Sequence, residues 1–326
     1  MSEPSGFKYK FERLKATIHR LLIAPVKAFL SRIKYPGKDN LSLLDIGSFF
    51  ITGLKKGDIR ARAKSISFDF FLAVFPAIIF FFTLIPYLPM PGIQDRLLLL
   101  IQEVLPPNTF EAARTTIEDI LKQPHSGLLS FGFIFALYIS ANGIYSMIDG
   151  FNKSYHGIEV RTPFKQRMIS VFLTLMLAII LIGSFALIGF TEYAVANLEG
   201  KAILNNATTV LMLRTGTTAI LLMTSLMMIS SLYFFGPSKK NRRPFISVGS
   251  VTTTIMITLT TFAFNYFIGN FSQYNKLYGS IGTLIIILVW INFIAVQLII
   301  GFELNASIEN AKINAAANEE KIRRTI

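Results

Sequence analysis

The sequence predicts an all-α, polytopic membrane protein with six transmembrane helices, amphipathic N-terminal helices and a helical extracytoplasmic cap. Three observations predict it. Six blocks of about twenty apolar residues recur along the chain, each long enough at 1.5 Å per residue to cross a hydrocarbon core of ~30 Å. Hydrophobic residues make up 52% of the 326 and charged residues only 16%, with a mean hydropathy of +0.52. Soluble domains carry about 25% charged residues. Lysine and arginine number 14, 3, 4, 2, 4, 1 and 4 in the seven regions outside the blocks, in chain order. The low counts fall at alternate positions, as the positive-inside rule requires for an even number of crossings, so both termini are expected in the cytoplasm.

Residues 1–64 form a basic arm expected on the cytoplasmic side. Phe7, Phe11, Leu14, Ile18 and Leu21 recur at helical spacing with basic residues between them. Such a helix fits either anionic headgroups or the protein's own cytoplasmic face. No cleavable signal peptide is expected, because residues 21–30 are broken by Pro25 and Lys27. Residues 41–54 are apolar but short and contain Asp45, which fits an interfacial or re-entrant helix better than a span.

The membrane domain is expected over 65–307, with spans at 68–88, 128–148, 168–190, 217–235, 247–267 and 280–302. Pro76 lies inside the first and removes one backbone donor there. Residues 89–127 hold five acidic and three basic residues. Asn108 with Glu111 resembles a capping box, and Phe110, Ala113, Ile117 and Leu121 keep helical spacing, which predicts the cap. Loops are expected at 149–167, 191–216 and 268–279. Lys239, Lys240, Arg242 and Arg243 fill the turn between spans four and five and are candidate contacts for lipid phosphate. Residues 308–326 read as a polar cytoplasmic tail.

Ionisable groups within a membrane are costly and so are the first functional candidates. Asp69, Asp149 and Glu303 fall near the expected cytoplasmic boundary. Asn142, Ser146 and Asp149 are spaced i, i+4, i+7 on one helical face, and Asn292 shares a face with Glu303 eleven residues on. A polar cavity open to the cytoplasm would bring these six residues together. Headgroup-level residues and asparagines bonding between helices are the competing reading. Thr254, Thr258, Thr261 and Asn265 form a second stripe, read first as hydroxyls bonding their own helix at a packed interface.

No catalytic set, metal site or cofactor motif emerges. Cysteine is absent, and His19, His125 and His156 lie in three separate regions without metal-ligand spacing. There is no Gly-rich phosphate loop and no Gly-x-Ser-x-Gly elbow. The net charge of +13 flanks the apolar blocks and so is assigned to topology and lipid, not to nucleic acid.

Four stretches resemble a known family: 63–76 (AKSISFDFFLAVFP), 128–155 (ending GIYSMIDGFNKSY), 232–249 (LYFFGPSKKNRRPFISVG) and 278–306 (YGSIGTLIIILVWINFIAVQLIIGFELNA). In these the chain is similar to the YihY/virulence factor BrkB family of bacterial inner-membrane proteins, formerly described as ribonuclease BN. The resemblance covers roughly 45–307. It departs from the family pattern at Phe302, often Ala there, and at Val248-Gly249, where the family often has Pro-Gly. What it implies is a six-span protein of the bacterial plasma membrane. The expected role is a non-enzymatic transporter or lipid-handling protein, with membrane lipids as partners. A non-transporting scaffold or partner subunit, docking a protein through 89–127, is the alternative. The side chains give no support to a ribonuclease.

Overall fold

The computed structural model describes residues 42–84, 126–154, 161–200, 206–238, 244–269 and 272–325, with scattered helical positions between 95 and 119. The described residues are almost all helical, with no extended strand among them. In chain order the helices are α1 (Leu43–Lys56), α2 (Ile59–Leu84), α3 (Ser126–Asn152), α4 (Pro163–Gly200), α5 (Asn206–Phe235), α6 (Val248–Gly269) and α7 (Ser272–Thr325). Two compact units divide the chain, residues 58–302 and residues 1–57 with 303–326.

Five stretches among the described residues are long and apolar enough to cross a membrane: Ser130–Asn152, Pro163–Val195, Thr209–Phe235, Val248–Phe267 and Leu284–Ala317. They correspond to expected spans two to six. The first expected span begins within α2, which carries Pro76 in its interior, and its last residues, 85–88, lie outside the described residues. The chain is therefore a multi-pass membrane protein. Ile179, Ile182 and Phe185 on α4 and Leu259 and Phe262 on α6 are all well exposed. Exposed apolar residues in such numbers are stable against lipid and not against water.

Helices run past the apolar blocks that announce them. α4 begins at Pro163 and continues to Gly200, whereas 191–216 was expected as a loop. α7 begins at Ser272, inside the expected loop 268–279, and extends through the polar tail to Thr325. Hydropathy marks what lipid covers, while the backbone ladder continues until something stops it. Pro163 suits the first helical position, where its missing N–H costs nothing. Before α6, the Ser250 amide donates to Ser247 Oγ (3.1 Å) and the Ser247 amide to Ser250 Oγ (2.9 Å), a reciprocal cap.

In the 58–302 unit α2 packs on α3, α3 on α4, α4 on α5 and α5 on α6. Phe151 and Phe302, both fully buried, stack at 4.3 Å, and Tyr233 meets both edge-on. Phe302, a departure from the family pattern, thus fills an aromatic core between α3, α5 and α7. Tyr233 Oη donates to the Leu298 carbonyl (2.6 Å) and lies 2.8 Å from Thr253 Oγ1. A Cβ at Gly301 would collide with Thr253 Oγ1 and lie 3.0 Å from the Gly249 carbonyl, so glycine permits this crossing.

In the other unit Ile46 and Ala311 form a small core with Phe49, Leu304, Ile308 and Ala315 packed on it. Glu303 is buried there beside Gly53, where a Cβ would collide with its Oε1. The arm before residue 42, most of the cap 89–127 and the cluster Lys239, Lys240, Arg242 and Arg243 lie outside the described residues. Within the cap, Arg114 Nε donates to Glu118 at 3.0 Å, one helical turn on.

Candidate functional site

The six helices α2 to α7 line a half-open cavity of about 420 Å3. Its wall is apolar: α2 contributes Ile66, Phe70 and Val74, α3 Ile144 and Met147, and α7 Ile291, Ile294, Ala295 and Leu298, with α4, α5 and α6 closing the rest. Ser225 is the one hydroxylated residue in that wall, and its Oγ bonds back to the Leu221 carbonyl at 2.9 Å. None of the six residues expected in a polar cavity lines this one.

The polar candidates sit elsewhere and bond between helices. Ser146 Oγ on α3 donates to Asp69 Oδ2 on α2. Asn292 Nδ2 on α7 donates to Ser67 Oγ on α2 at 3.0 Å. Asn142 Oδ1 accepts from Arg167 Nη1 on α4, and Arg167 Nη2 donates to the Tyr138 carbonyl at 3.1 Å. The Arg167 guanidinium also lies 4.1 Å from the centre of the Tyr138 ring. Asp149 pairs with Lys153 on its own helix at 2.7 Å. Asp69, Asn142 and Ser146 are thereby gathered along one face of α3, with Asp149 at its end. Asn292 is tied to the opposite flank of α2, and Glu303 belongs to the other compact unit.

By the 100° step of a helix, Ile144 and Met147 point away from Asn142 and Ser146. The cavity and the polar stripe thus occupy opposite sides of α3. A carboxylate or guanidinium at the centre of a membrane helix costs ~2.5–3.5 kcal/mol on insertion scales. Asp69 and Arg167 meet that cost with a hydroxyl, an amide, a carbonyl and a ring.

Arg62 holds the end of α3, while Arg161 and Asn152 organise the turn after α5. Arg62, buried on α2, donates to the Gly150 carbonyl (2.7 Å) and Ser154 Oγ (3.0 Å). Arg161 donates to the Gly236 and Pro237 carbonyls, both at 2.7 Å, and the Ser238 amide donates to Asn152 Oδ1 at 2.8 Å. These arginines supply positive charge where the helix carbonyls of α3 and α5 run out. Burial pushes the Arg161 guanidinium down from its ordinary value.

Within the stretch 232–249, singled out in the sequence, the turn at 236–238 is thus docked near the end of α3, and 278–306 holds both Asn292 and the Gly301 crossing. The profile of the family described as Virulence factor BrkB matches residues 50–324. The chain belongs to the virulence factor BrkB family. Among its relatives, the "Putative ribonuclease-like protein YfkH" of Bacillus subtilis (strain 168) is 28% identical over 258 residues, 78% of this chain and 91% of that protein. A "UPF0761 membrane protein" of Coxiella burnetii (strain RSA 493 / Nine Mile phase I) is 24% identical over 237 residues, 71% of this chain and 81% of that one. No solved structure gives a significant match.

For this BrkB-family chain, no group of three or more acidic or histidine side chains that could hold a metal occurs among the described residues. Arg62, Arg161 and Arg167 were missed by the sequence reading, which counted them as boundary charges. A signal was present for two. Arg62 lies seven residues before Asp69, on the same helical face, and Arg167 is the last charge before a long uncharged run. The threonine stripe of α6 behaves as read: Thr254, Thr258 and Thr261 each donate to a carbonyl one turn back, at 2.9, 2.8 and 2.7 Å. Asn265, the fourth member, is exposed.

Proposed function

We propose that this protein is a lipid-handling membrane protein that takes the apolar part of a lipid into the cavity between α2 and α7. The cavity itself carries the reading. Its volume of about 420 Å3 falls within the ~300–1,000 Å3 range of sites for single small ligands. A polar solute would lose its hydration there without finding partners, at a cost of several kcal/mol. An acyl chain loses nothing. The role is therefore read as binding or movement of lipid without covalent chemistry. The alternation of basic regions supports placement in the bacterial plasma membrane with both termini in the cytoplasm.

Ala295, almost fully buried in the cavity wall, offers the test. Ala295→Phe would fill part of the cavity. Native mass spectrometry of the purified protein is expected to find co-purifying lipid, reduced at least severalfold in the variant. Equal retention by both proteins, with equal thermal stability, contradicts the proposal.

A further inference from the structure

The polar stripe on α3 faces away from the cavity and needs its own account. Asp69 reaches it from α2 and Arg167 from α4, so opposite charges approach this face from two different helices. They do not form an ion pair with each other. Each instead holds a neutral side chain of α3, Ser146 for Asp69 and Asn142 for Arg167, and those two are one turn or ~6 Å apart along the helix. All four residues are half-buried, so the stripe is reachable from the side of the bundle.

The same face continues in one direction as Tyr138, Phe135 and Phe131, which are 58%, 46% and 67% exposed. The Phe131 and Phe135 rings stack at 5.9 Å. In the other direction it ends at the Asp149–Lys153 pair. From one end of α3 toward the other the face thus runs from charged, through hydrogen-bonding, to aromatic. That gradient matches an amphiphile lying along the helix. Two other charges on the packed elements are engaged elsewhere: Arg62 binds Gly150 and Ser154, and Asp149 binds Lys153, while Arg60, Lys64 and Lys165 are exposed.

We propose that this face of α3 binds the headgroup of a zwitterionic phospholipid, the phosphate on Arg167 and the ammonium on Asp69, with the tails over Phe131 and Phe135. The planar guanidinium fork suits a phosphate. The Asp69 carboxylate suits a primary ammonium that can donate to it, and it repels a lipid whose only charge is negative. A two-carbon linker between phosphate and amine matches a spacing of one helical turn. Asn142 lies ten residues inside the end of α3 at Asn152, roughly 15 Å along the axis. A headgroup held there is drawn below the level of its neighbours, toward the hydrocarbon core. This site rests on the lipid-handling reading and gives it a lipid class.

The test is native mass spectrometry of the full chain in micelles holding equal phosphatidylethanolamine and phosphatidylglycerol. Wild-type protein is expected to retain phosphatidylethanolamine over phosphatidylglycerol by about tenfold, the ratio one charge-assisted contact supplies. Asp69→Asn is expected to abolish that preference while phosphatidylglycerol still binds. Arg167→Gln is expected to weaken both lipids about tenfold, and Arg167→Lys, which keeps the charge without the fork, by less. Melting curves and the fluorescence of Trp290, stacked on Phe264 at 4.6 Å, report folding in each variant. An unchanged lipid ratio in folded Asp69→Asn overturns the site, as does unchanged retention in folded Arg167→Gln. Wild-type protein that keeps lipid without a headgroup preference overturns this site and leaves the cavity proposal standing. Wild-type protein that keeps no lipid overturns both.

Discussion

Gly301 stands where α5, α6 and α7 meet, with Tyr233 Oη 2.8 Å from where a Cβ would be and Thr253 Oγ1 closer still. Thr253 is fully buried and donates to the Gly249 carbonyl at 2.7 Å, so it has no empty space to turn into. Gly301→Ala should therefore force the helices apart, at a cost typical of overpacking, about 1–3 kcal/mol. Thermal unfolding in detergent would show it as a lowered midpoint. Relief by the second change Thr253→Ala would identify the collision as the cause, and an unchanged midpoint for Gly301→Ala would refute it. The Gly301–Ala306 ending that carries the family resemblance begins with a packing requirement, not with a ligand contact.

At the scale of elements, the turn after α5 is held by two side chains, Arg161 and Asn152. Arg161 bridges the Gly236 and Pro237 carbonyls in the turn just past the end of α5. Arg161→Ala should destabilise the protein by about 1.5–3 kcal/mol, the usual worth of hydrogen bonds from a charged donor. Arg161→Lys should recover only part, because an ammonium lacks the planar fork that reaches both carbonyls. Equal midpoints for wild type and Arg161→Ala would contradict this. Elements of this kind were only partly legible in the sequence. Spans two to six could be read because lipid demands a continuous run of apolar side chains. The ends of α4 and α7 could not, because a polar segment continues a helix as readily as it leaves one. The shared face of Asn142 and Ser146 followed from spacing alone. Their partners did not, since Asp69 lies 77 residues from Ser146 and Arg167 lies 25 from Asn142, on other helices.

The molecule as a whole combines an apolar cavity among its helices with a charged-to-aromatic face on α3, the two places proposed for lipid. The sequence reading expected a polar cavity because it could see which residues are polar and not where neighbouring helices place them. The cavity was invisible for the same reason. Its wall draws on six helices, and each lining residue is by itself an ordinary apolar residue of a span. Sequence periodicity does report the side of α3 that faces away, through Ile144 and Met147, but it cannot report that space remains there.

Whether lipid enters that space decides the role proposed for the cavity. A phospholipid bearing a photoactivatable group midway along one acyl chain, reconstituted with the protein and cross-linked by light, tests it most directly. Entry into the cavity predicts adducts on peptides containing Ile144 and Met147 and on those containing Ile291 and Ala295, competed away by unlabelled lipid and lost in Ala295→Phe. Adducts confined to the exposed residues of α4 and α6, such as Ile179 and Leu259, would contradict it.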